Sequence, residues 1–414
     1  MRKYTWILLI LCLSTNPLWA QRPMPVVSPL SEHVSIVYVR VSASDIVKVS
    51  GIDATSVALR FSNDPDQAYL QAGGKKHLIQ KDEHVQSTYM GSSNLIVFDK
   101  AVKEFSLYTG ALSGDLEIVL INARASAKAG AEAYQNTREQ TCAEPNMVEQ
   151  SVWRTGLPGP NYGRSFSKTE NLIIHHSATS NDLTDYTNIV RNIYLYHTQS
   201  NGWSDIGYNY LIAPDGTIFK GRDPDTGEQD KVIGAHFCGS NSATMGVCLM
   251  GTFTDVPPTD EAIQALIDLL AWKTSKDGLD PQGQHSHPLN TALPVIAGHR
   301  DGCSTECPGQ QTYNRLSTIR LATADKETTC DEGKVYTFEL FPNPAKSYAY
   351  IKLLAGDTHE LRLYSARGEM LSLAPEYTEE DEVRIPLDDF AAGIYFLNYQ
   401  SAYKLIKRKL VIIK

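Results

Sequence analysis

Between residues 150 and 325, short apolar strands alternate with amphipathic helices, and this alternation limits the possible folds more than any other feature of the chain. The segments NLIIHH (residues 171–176) and TMGVCLMG (residues 244–251) are apolar throughout, as central strands are. Apolar residues at helical spacing follow Thr259, a residue type that favours the start of a helix. The pattern predicts an α/β domain in which helices flank a mixed sheet.

The regions on either side of this domain are rich in strands. Residues 21–123 contain β-branched runs separated by turn residues, which predicts a β-rich domain, a small sandwich of unknown role. Residues 124–149 are polar and alanine-rich, as in a partly helical linker. Residues 333–414 contain several short strands and predict a C-terminal β-sandwich. The predicted fold class is therefore multidomain, with the α/β domain between two β domains.

The first 20 residues differ from the rest of the chain. Arg2 and Lys3 precede an apolar run, and Ala20 could end a cleavage site, a pattern typical of a secretory signal peptide. Export would place the protein where disulfides persist. No later segment is apolar enough to predict a transmembrane helix in the mature chain. The net charge of −9 gives no reason to expect nucleic-acid binding, which needs a basic face.

Six cysteines follow the signal peptide, and an even number permits three bridges without requiring any. Two of them, Cys303 and Cys307, lie in the short segment AGHRDGCSTECPG beside His299. From the residues alone, three interpretations of these cysteines are open: a disulfide, which is the usual state in an exported protein, metal ligation, or buried thiols.

A catalytic zinc site offers one explanation for this segment. Zinc binds imidazole and thiolate ligands, and catalytic sites use three protein ligands and leave a fourth position open. His175 ends a predicted strand and His299 follows another, so both can lie at the rim of one sheet. Cys307 follows eight residues later and can fold back through Gly302. Taken alone, this spacing is weak evidence for a metal.

Six sequence blocks, in order along residues 150–325, resemble those of the zinc-dependent N-acetylmuramoyl-L-alanine amidases. This family includes the peptidoglycan recognition proteins and phage amidases. The blocks are IIHHSAT, GWSDIGYNYLI, DGTIFKGR, IGAH, NSATMGVCLMG and GHRD followed by TECPG.

The resemblance implies a zinc ion held by His175, His299 and Cys307. It also implies catalytic roles for Tyr208, beside the reacting water, and for Thr305, where phage relatives carry a lysine.

Other positions in the blocks correspond to the substrate pocket. The resemblance indicates substrate binding by His236 and, more weakly, by Trp203 and Asn241. His176 is interpreted as a neighbour of the ligands.

The implied activity is hydrolysis of the amide bond between N-acetylmuramic acid and L-alanine in peptidoglycan. Some relatives bind muramyl peptides without cutting them, and these typically lack the cysteine ligand. Because Cys307 is present, catalysis is favoured over the alternative of a non-catalytic receptor or adhesin. A different acyl-amino substrate is a third hypothesis.

If Cys307 binds zinc, five exported cysteines remain and at least one stays unpaired. Cys238 and Cys303 belong to loops near the predicted metal, so we expect them to be bridged. Cys142 and Cys330 flank the domain, and a second bridge is predicted there. Cys248 is predicted to be a buried thiol.

The C-terminal region resembles the sorting domain of type IX secretion cargo. The resemblance covers residues 333–414 and is carried by FPNPA, LYSARG, GIYFLNY and the basic ending KLIKRKLVIIK. It implies the type IX secretion machinery as a partner and a secreted or outer-membrane-surface location.

Overall fold

The computed structural model describes residues 26–82, 91–123, 142–331, 339–352, 360–377, 382–400 and 405–414. These residues form two compact units. One contains the N-terminal sheet and the α/β domain, and the other contains the C-terminal strands. Within the described ranges, no helix has both the length and the apolar character needed to cross a bilayer.

The N-terminal region is one eight-stranded antiparallel sheet, whereas the sequence predicted a sandwich of two sheets. Register shifts between the two longest strands, at Ser50, Ala54 and Ser56, bend the sheet so that it encloses its own apolar core. The strands are β1 (Val26–Pro29), β2 (Val34–Val41), β3 (Ile46–Phe61), β4 (Tyr69–Ala72), β5 (Lys75–Leu78), β6 (Gly91–Ser92), β7 (Ile96–Tyr108) and β8 (Gly114–Ile121).

The α/β domain is built on a six-stranded mixed sheet, as predicted, with strand order β16-β10-β13-β11-β12-β9. A two-stranded hairpin, β14–β15, lies outside this sheet. The strands are β9 (Met147–Val148), β10 (Asn171–His176), β11 (Tyr210–Ile212), β12 (Ile218–Lys220), β13 (Thr244–Leu249), β14 (Gln284–His287), β15 (Asn290–Pro294) and β16 (Ile296–Gly298). The helices are α1 (Gln150–Trp153), α2 (Tyr186–Leu195), α3 (Asp260–Asp277), α4 (Gln310–Tyr313) and α5 (Leu316–Asp331).

Local sequence signals account for much of this domain. The Thr259 hydroxyl accepts a hydrogen bond from the Ala262 N–H at the start of α3, and Gly278 ends that helix in the left-handed conformation. Gly216 has a φ of 85° in the turn between β11 and β12.

The predicted linker is too long at its C-terminal end, because β9 already pairs with β12. Residues 124–141 of that linker lie outside the described residues.

Helix α2 is buried on two sides, between the central sheet and the N-terminal sheet. Ile189 and Ile193 of α2 belong to the same apolar cluster as Val97 and Ile121 of the N-terminal sheet and Leu211 of the central sheet. The cluster is continuous across both sheets. The N-terminal sheet is therefore part of the same compact unit as the α/β domain.

Buried polar contacts fix the position of α2 against the N-terminal sheet. The Asn192 Oδ1 atom accepts hydrogen bonds from the hydroxyls of Thr55 and Ser56, each at 2.7 Å. The Arg191 Nε atom donates to the carbonyl oxygen of Ala123 at 2.9 Å. Buried polar groups are costly unless paired, so these contacts specify one docked arrangement.

The C-terminal unit consists of two four-stranded sheets with a shared apolar core. Core residues from both sheets, such as Ile351, Ile385 and Leu397, are fully buried. The strands are β17 (Glu339–Phe341), β18 (Tyr348–Lys352), β19 (Glu360–Ser365), β20 (Met370–Leu371), β21 (Glu376–Tyr377), β22 (Glu382–Pro386), β23 (Gly393–Gln400) and β24 (Leu405–Ile412).

The docking of α2 yields a first prediction. Asn192→Ala should lower the free energy of unfolding by about 3 kcal/mol, because it leaves buried hydroxyls without their acceptor. Urea denaturation of the full-length protein measures this loss. In the Ser56→Ala background the same substitution should cost less, because the two residues share one hydrogen bond. A loss below about 0.5 kcal/mol, as at surface positions, would contradict the role of Asn192 in the docking of α2.

Candidate metal centre

The ends of β10 and β16 bring two histidines and a cysteine together. His175 ends the central strand β10, His299 follows β16, and β16 pairs with β10 in parallel. Ligand atoms of His175, His299 and Cys307 lie within 4.8 Å of one another, and all three residues are buried. The Sγ atom of Cys307 lies 3.7 Å from Nδ1 of His175. Three of the predicted site residues therefore converge on one point.

The loop that carries Cys307 is held by backbone hydrogen bonds. The His176 N–H donates a hydrogen bond to the Cys307 Sγ atom at 3.3 Å. The Thr305 Oγ1 atom accepts from the Cys307 N–H at 3.0 Å. The Thr305 hydroxyl thus helps to shape the loop that carries Cys307, and its catalytic role stays a prediction.

His299 is positioned by the turn that follows it. Residues His299–Asp301 form one 3₁₀ turn. The carboxylate of Asp301 accepts hydrogen bonds from the Gly298 N–H at 2.8 Å and from the Tyr313 hydroxyl at 2.5 Å. The aspartate of the GHRD motif thus fixes the backbone conformation of the turn that begins at His299.

The ring of His236 contacts the ring of His175. Its Nδ1 atom is 3.1 Å from Nε2 of His175, so a hydrogen bond between the rings orients the His175 imidazole. A Cβ atom at Gly234 or Gly246 would lie 2.6 Å from the His236 ring, which explains why glycine occupies both positions. The Asn241 side chain accepts from the backbone N–H of His236 at 2.7 Å and supports the loop.

Tyr208 borders the cluster on the side of α2. Its ring centroid is 5.3 Å from that of His175. Burial is the main cause that raises the pKa of the Tyr208 phenol well above its usual value, and the neighbouring thiols of Cys248 and Cys307 add to the shift. The phenol is therefore a neutral hydrogen-bond donor at ordinary pH.

Trp203 is connected to the site by His197, a residue that the motifs did not single out. His197 stacks on Trp203 with ring centroids 4.5 Å apart, and its ring lies 5.8 Å from that of Tyr208. The Nδ1 atom of His197 accepts from the Gly207 N–H. His197 belongs to the π-helical turn Tyr196–Ser200, a local geometry that often marks functional sites. In the sequence it resembles one more residue of the apolar stripe of α2.

The predicted bridge between Cys238 and Cys303 is confirmed. It joins the loop that follows His236 to the loop between His299 and Cys307. Cys248 is a buried free thiol, as predicted. Cys142 is disulfide-bonded, and the side chain of Cys330 lies outside the described residues.

The donor set defines the type of metal that it could hold. Two imidazole nitrogens and one sulfur match the ligands that zinc prefers, and Mg²⁺ and Ca²⁺ prefer oxygen ligands. Catalytic zinc sites have three protein ligands, and the cluster supplies three. The ring of His236 on His175 is the kind of supporting contact that metal-binding histidines receive. The residues therefore fit zinc.

Family models match two parts of the chain. One described as N-acetylmuramoyl-L-alanine amidase covers residues 165–310, and one described as a secretion system C-terminal sorting domain covers residues 339–413. Fold and site thus define an amidase-type α/β domain joined to a sorting domain.

Curated relatives are similar over the same region. Peptidoglycan-recognition protein SC2 of Drosophila simulans is 34% identical over 174 residues, which cover 42% of this chain and 85% of that protein. Human peptidoglycan recognition protein 3 is 29% identical over 196 residues, or 44% of this chain and 51% of that protein. The chain thus spans about half the length of the human relative.

Among solved structures, the chain is similar to human PGRP-IBETAC in complex with glycosamyl muramyl pentapeptide. The sequence identity is 31%, the match covers 42% of this chain and 96% of that chain, and the TM-score is 0.35.

The chain belongs to the family of peptidoglycan recognition proteins and N-acetylmuramoyl-L-alanine amidases. Its sorting domain directs it to the cell surface or outside.

The bridge near the candidate centre yields a second prediction. Replacing both Cys238 and Cys303 by alanine should lower the free energy of unfolding by about 2–4 kcal/mol, because the bridge closes a long loop with a sequence separation of 65 residues. Urea denaturation without reductant measures this loss of stability. Equal midpoints for variant and wild type without reductant would contradict the prediction.

Proposed function

We propose that this protein is a secreted zinc amidase that hydrolyses the amide bond between N-acetylmuramic acid and L-alanine in peptidoglycan. The observation that carries the proposal is the convergence of His175, His299 and Cys307 within 4.8 Å. The family model is described by this activity. A protein that only binds peptidoglycan would not need an intact set of three ligands beside a buried phenol.

The metal and the chain have separate tasks in this proposal. Zinc held by His175, His299 and Cys307 would supply Lewis-acid polarisation of the scissile carbonyl and activation of water. His236 keeps the His175 ring in the orientation that ligation needs. The neutral Tyr208 phenol donates a hydrogen bond to the carbonyl oxygen as negative charge develops there. Thr305 and the His176 N–H hold the Cys307 loop in place.

The second candidate function is peptidoglycan recognition without cleavage. The relatives whose names describe peptidoglycan recognition favour it, because those names do not state hydrolysis. The two functions differ in one measurable product, a free amino terminus on alanine.

The proposal predicts specific products from purified sacculi. The wild-type protein should release new alanine amino termini without new reducing sugar ends, and it should hold about one zinc ion per chain. Cys307→Ser should lose both the zinc and the activity, as measured by elemental analysis and by amino-terminal labelling. Cys248→Ala is the matched control for the zinc content, because it removes the other free thiol of the described residues and leaves the ligands intact.

Each failure has a distinct meaning. Zinc retained by Cys307→Ser would refute the ligand assignment. Zinc-loaded wild-type protein that binds sacculi but releases no amino termini would support the recognition function instead.

Tyr208 yields a further prediction. Tyr208→Phe should lower kcat by about 10²–10³-fold, the usual cost of losing one donor to a developing oxyanion. The zinc content should not change, because the phenol is not among the three ligands. Steady-state kinetics on a soluble muramyl peptide measure the effect, and a kcat within a few-fold of wild type would exclude this role.

A further inference from the structure

The C-terminal end of the π-helical turn Tyr196–Ser200 is held by an arginine of the N-terminal sheet. Arg60, on β3, donates hydrogen bonds from Nη2 to the carbonyl oxygen and to the hydroxyl of Ser200. Its Nη1 atom lies 3.0 Å from the carboxylate of Glu117 on β8, a contact that fixes the guanidinium. The last carbonyl groups of a helix have no partner within the helix, and a cation beside them is stabilising. Arg60 therefore caps the turn from outside the α/β domain.

The first residue of the same turn is also attached to the N-terminal region. The Tyr196 hydroxyl lies 3.2 Å from a carboxylate oxygen of Asp82 and 3.2 Å from the carbonyl oxygen of Ser93, two hydrogen-bond acceptors. Tyr196 and Ser200 are both buried. Because π-helical turns are rare, contacts of this kind from outside the helix decide whether such a turn persists.

His197, the second residue of the turn, faces the candidate metal centre instead. Its ring centroid lies 4.5 Å from that of Trp203 and 5.8 Å from that of Tyr208. Its Nδ1 atom accepts a hydrogen bond from the Gly207 N–H, so the neutral ring carries its proton on Nε2. The orientation of the turn thus determines where a further hydrogen-bond donor lies beside the Tyr208 phenol.

We propose that Arg60 is a positioning residue of the amidase site, which holds the π-helical turn so that the rings of His197 and Tyr208 keep the arrangement that the substrate needs. The inference rests on the proposed amidase function. A misplacement of about 1 Å that originates far from the chemistry can lower a rate by about 100-fold, so a contact remote from the metal affects turnover. The N-terminal sheet then has a task in the reaction, since it holds the aromatic edge of the site.

The first test measures the geometry without turnover. In full-length protein labelled with fluorotryptophan, the fluorine NMR resonance of Trp203 is assigned by its loss in Trp203→Phe. Because His197 stacks on Trp203, a displaced turn should move this resonance. Arg60→Ala should move it and leave in place the resonance of Trp272, which packs against Tyr210. An unmoved Trp203 resonance in Arg60→Ala would overturn the proposal.

The second test measures turnover of a soluble muramyl peptide. Arg60→Ala should lower kcat/KM about tenfold and leave the zinc content unchanged, because the three ligands stay in place. In the His197→Ala background the same substitution should have little further effect on kcat/KM, because its effect passes through His197. A merely structural role of Arg60 would instead give additive losses. Additivity, or a kcat/KM of Arg60→Ala within about twofold of wild type, would each sink the proposal.

Two further variants guard against a general effect on folding. Ser200→Ala removes one of the two acceptors of Arg60, and it should move the Trp203 resonance in the same direction by a smaller amount. Arg40→Ala removes an arginine of the same sheet whose ion pair with Asp115 is exposed, and it should change neither the resonance nor kcat/KM. Changes in Arg40→Ala as large as those in Arg60→Ala would overturn the specific role of Arg60.

This inference and the proposed function fail separately. A displaced Trp203 resonance in Arg60→Ala, with no release of alanine amino termini from sacculi by the wild-type protein, would refute the amidase and leave Arg60 as the residue that positions His197. Release of amino termini together with an unmoved Trp203 resonance in Arg60→Ala would support the amidase and refute the role of Arg60.

Discussion

The two-sided burial of α2 is the interaction on which the rest of the first unit depends. One side of the helix covers the central sheet beside the candidate metal centre, and the other side covers the N-terminal sheet. Asn192 and Arg191 add hydrogen bonds that only one docked arrangement satisfies. Because α2 continues into the turn that carries His197, the docked sheet also determines where the aromatic edge of the site lies.

The part of the fold that depends on local signals could be predicted from the sequence. The cap at Thr259, the turn at Gly216 and the apolar strands of the mixed sheet all have short-range causes. The docking of the N-terminal sheet could not be predicted, because it depends on which apolar face of the sheet packs against which apolar face of α2. Thr55 and Ser56 look like ordinary strand residues until Asn192 is seen beside them.

The residues of the candidate site also differ in whether the sequence could predict their positions. The convergence of His175, His299 and Cys307 could be predicted because six sequence blocks together resemble one family, and the pairing of Cys238 with Cys303 followed from their positions in loops near the predicted metal. The supporting residues were harder to assign. The side chains of Thr305 and Asn241 accept hydrogen bonds from backbone N–H groups, and no motif reveals such contacts. The space that Gly246 leaves for the ring of His236 depends on three-dimensional packing.

The Cys238–Cys303 bridge also has a consequence for when the site becomes complete. A reducing cytoplasm does not maintain such bonds, so the loop after His236 and the loop after His299 become covalently joined only outside it. Before export these loops depend on noncovalent contacts alone. Export of the protein therefore both changes its location and completes its covalent framework.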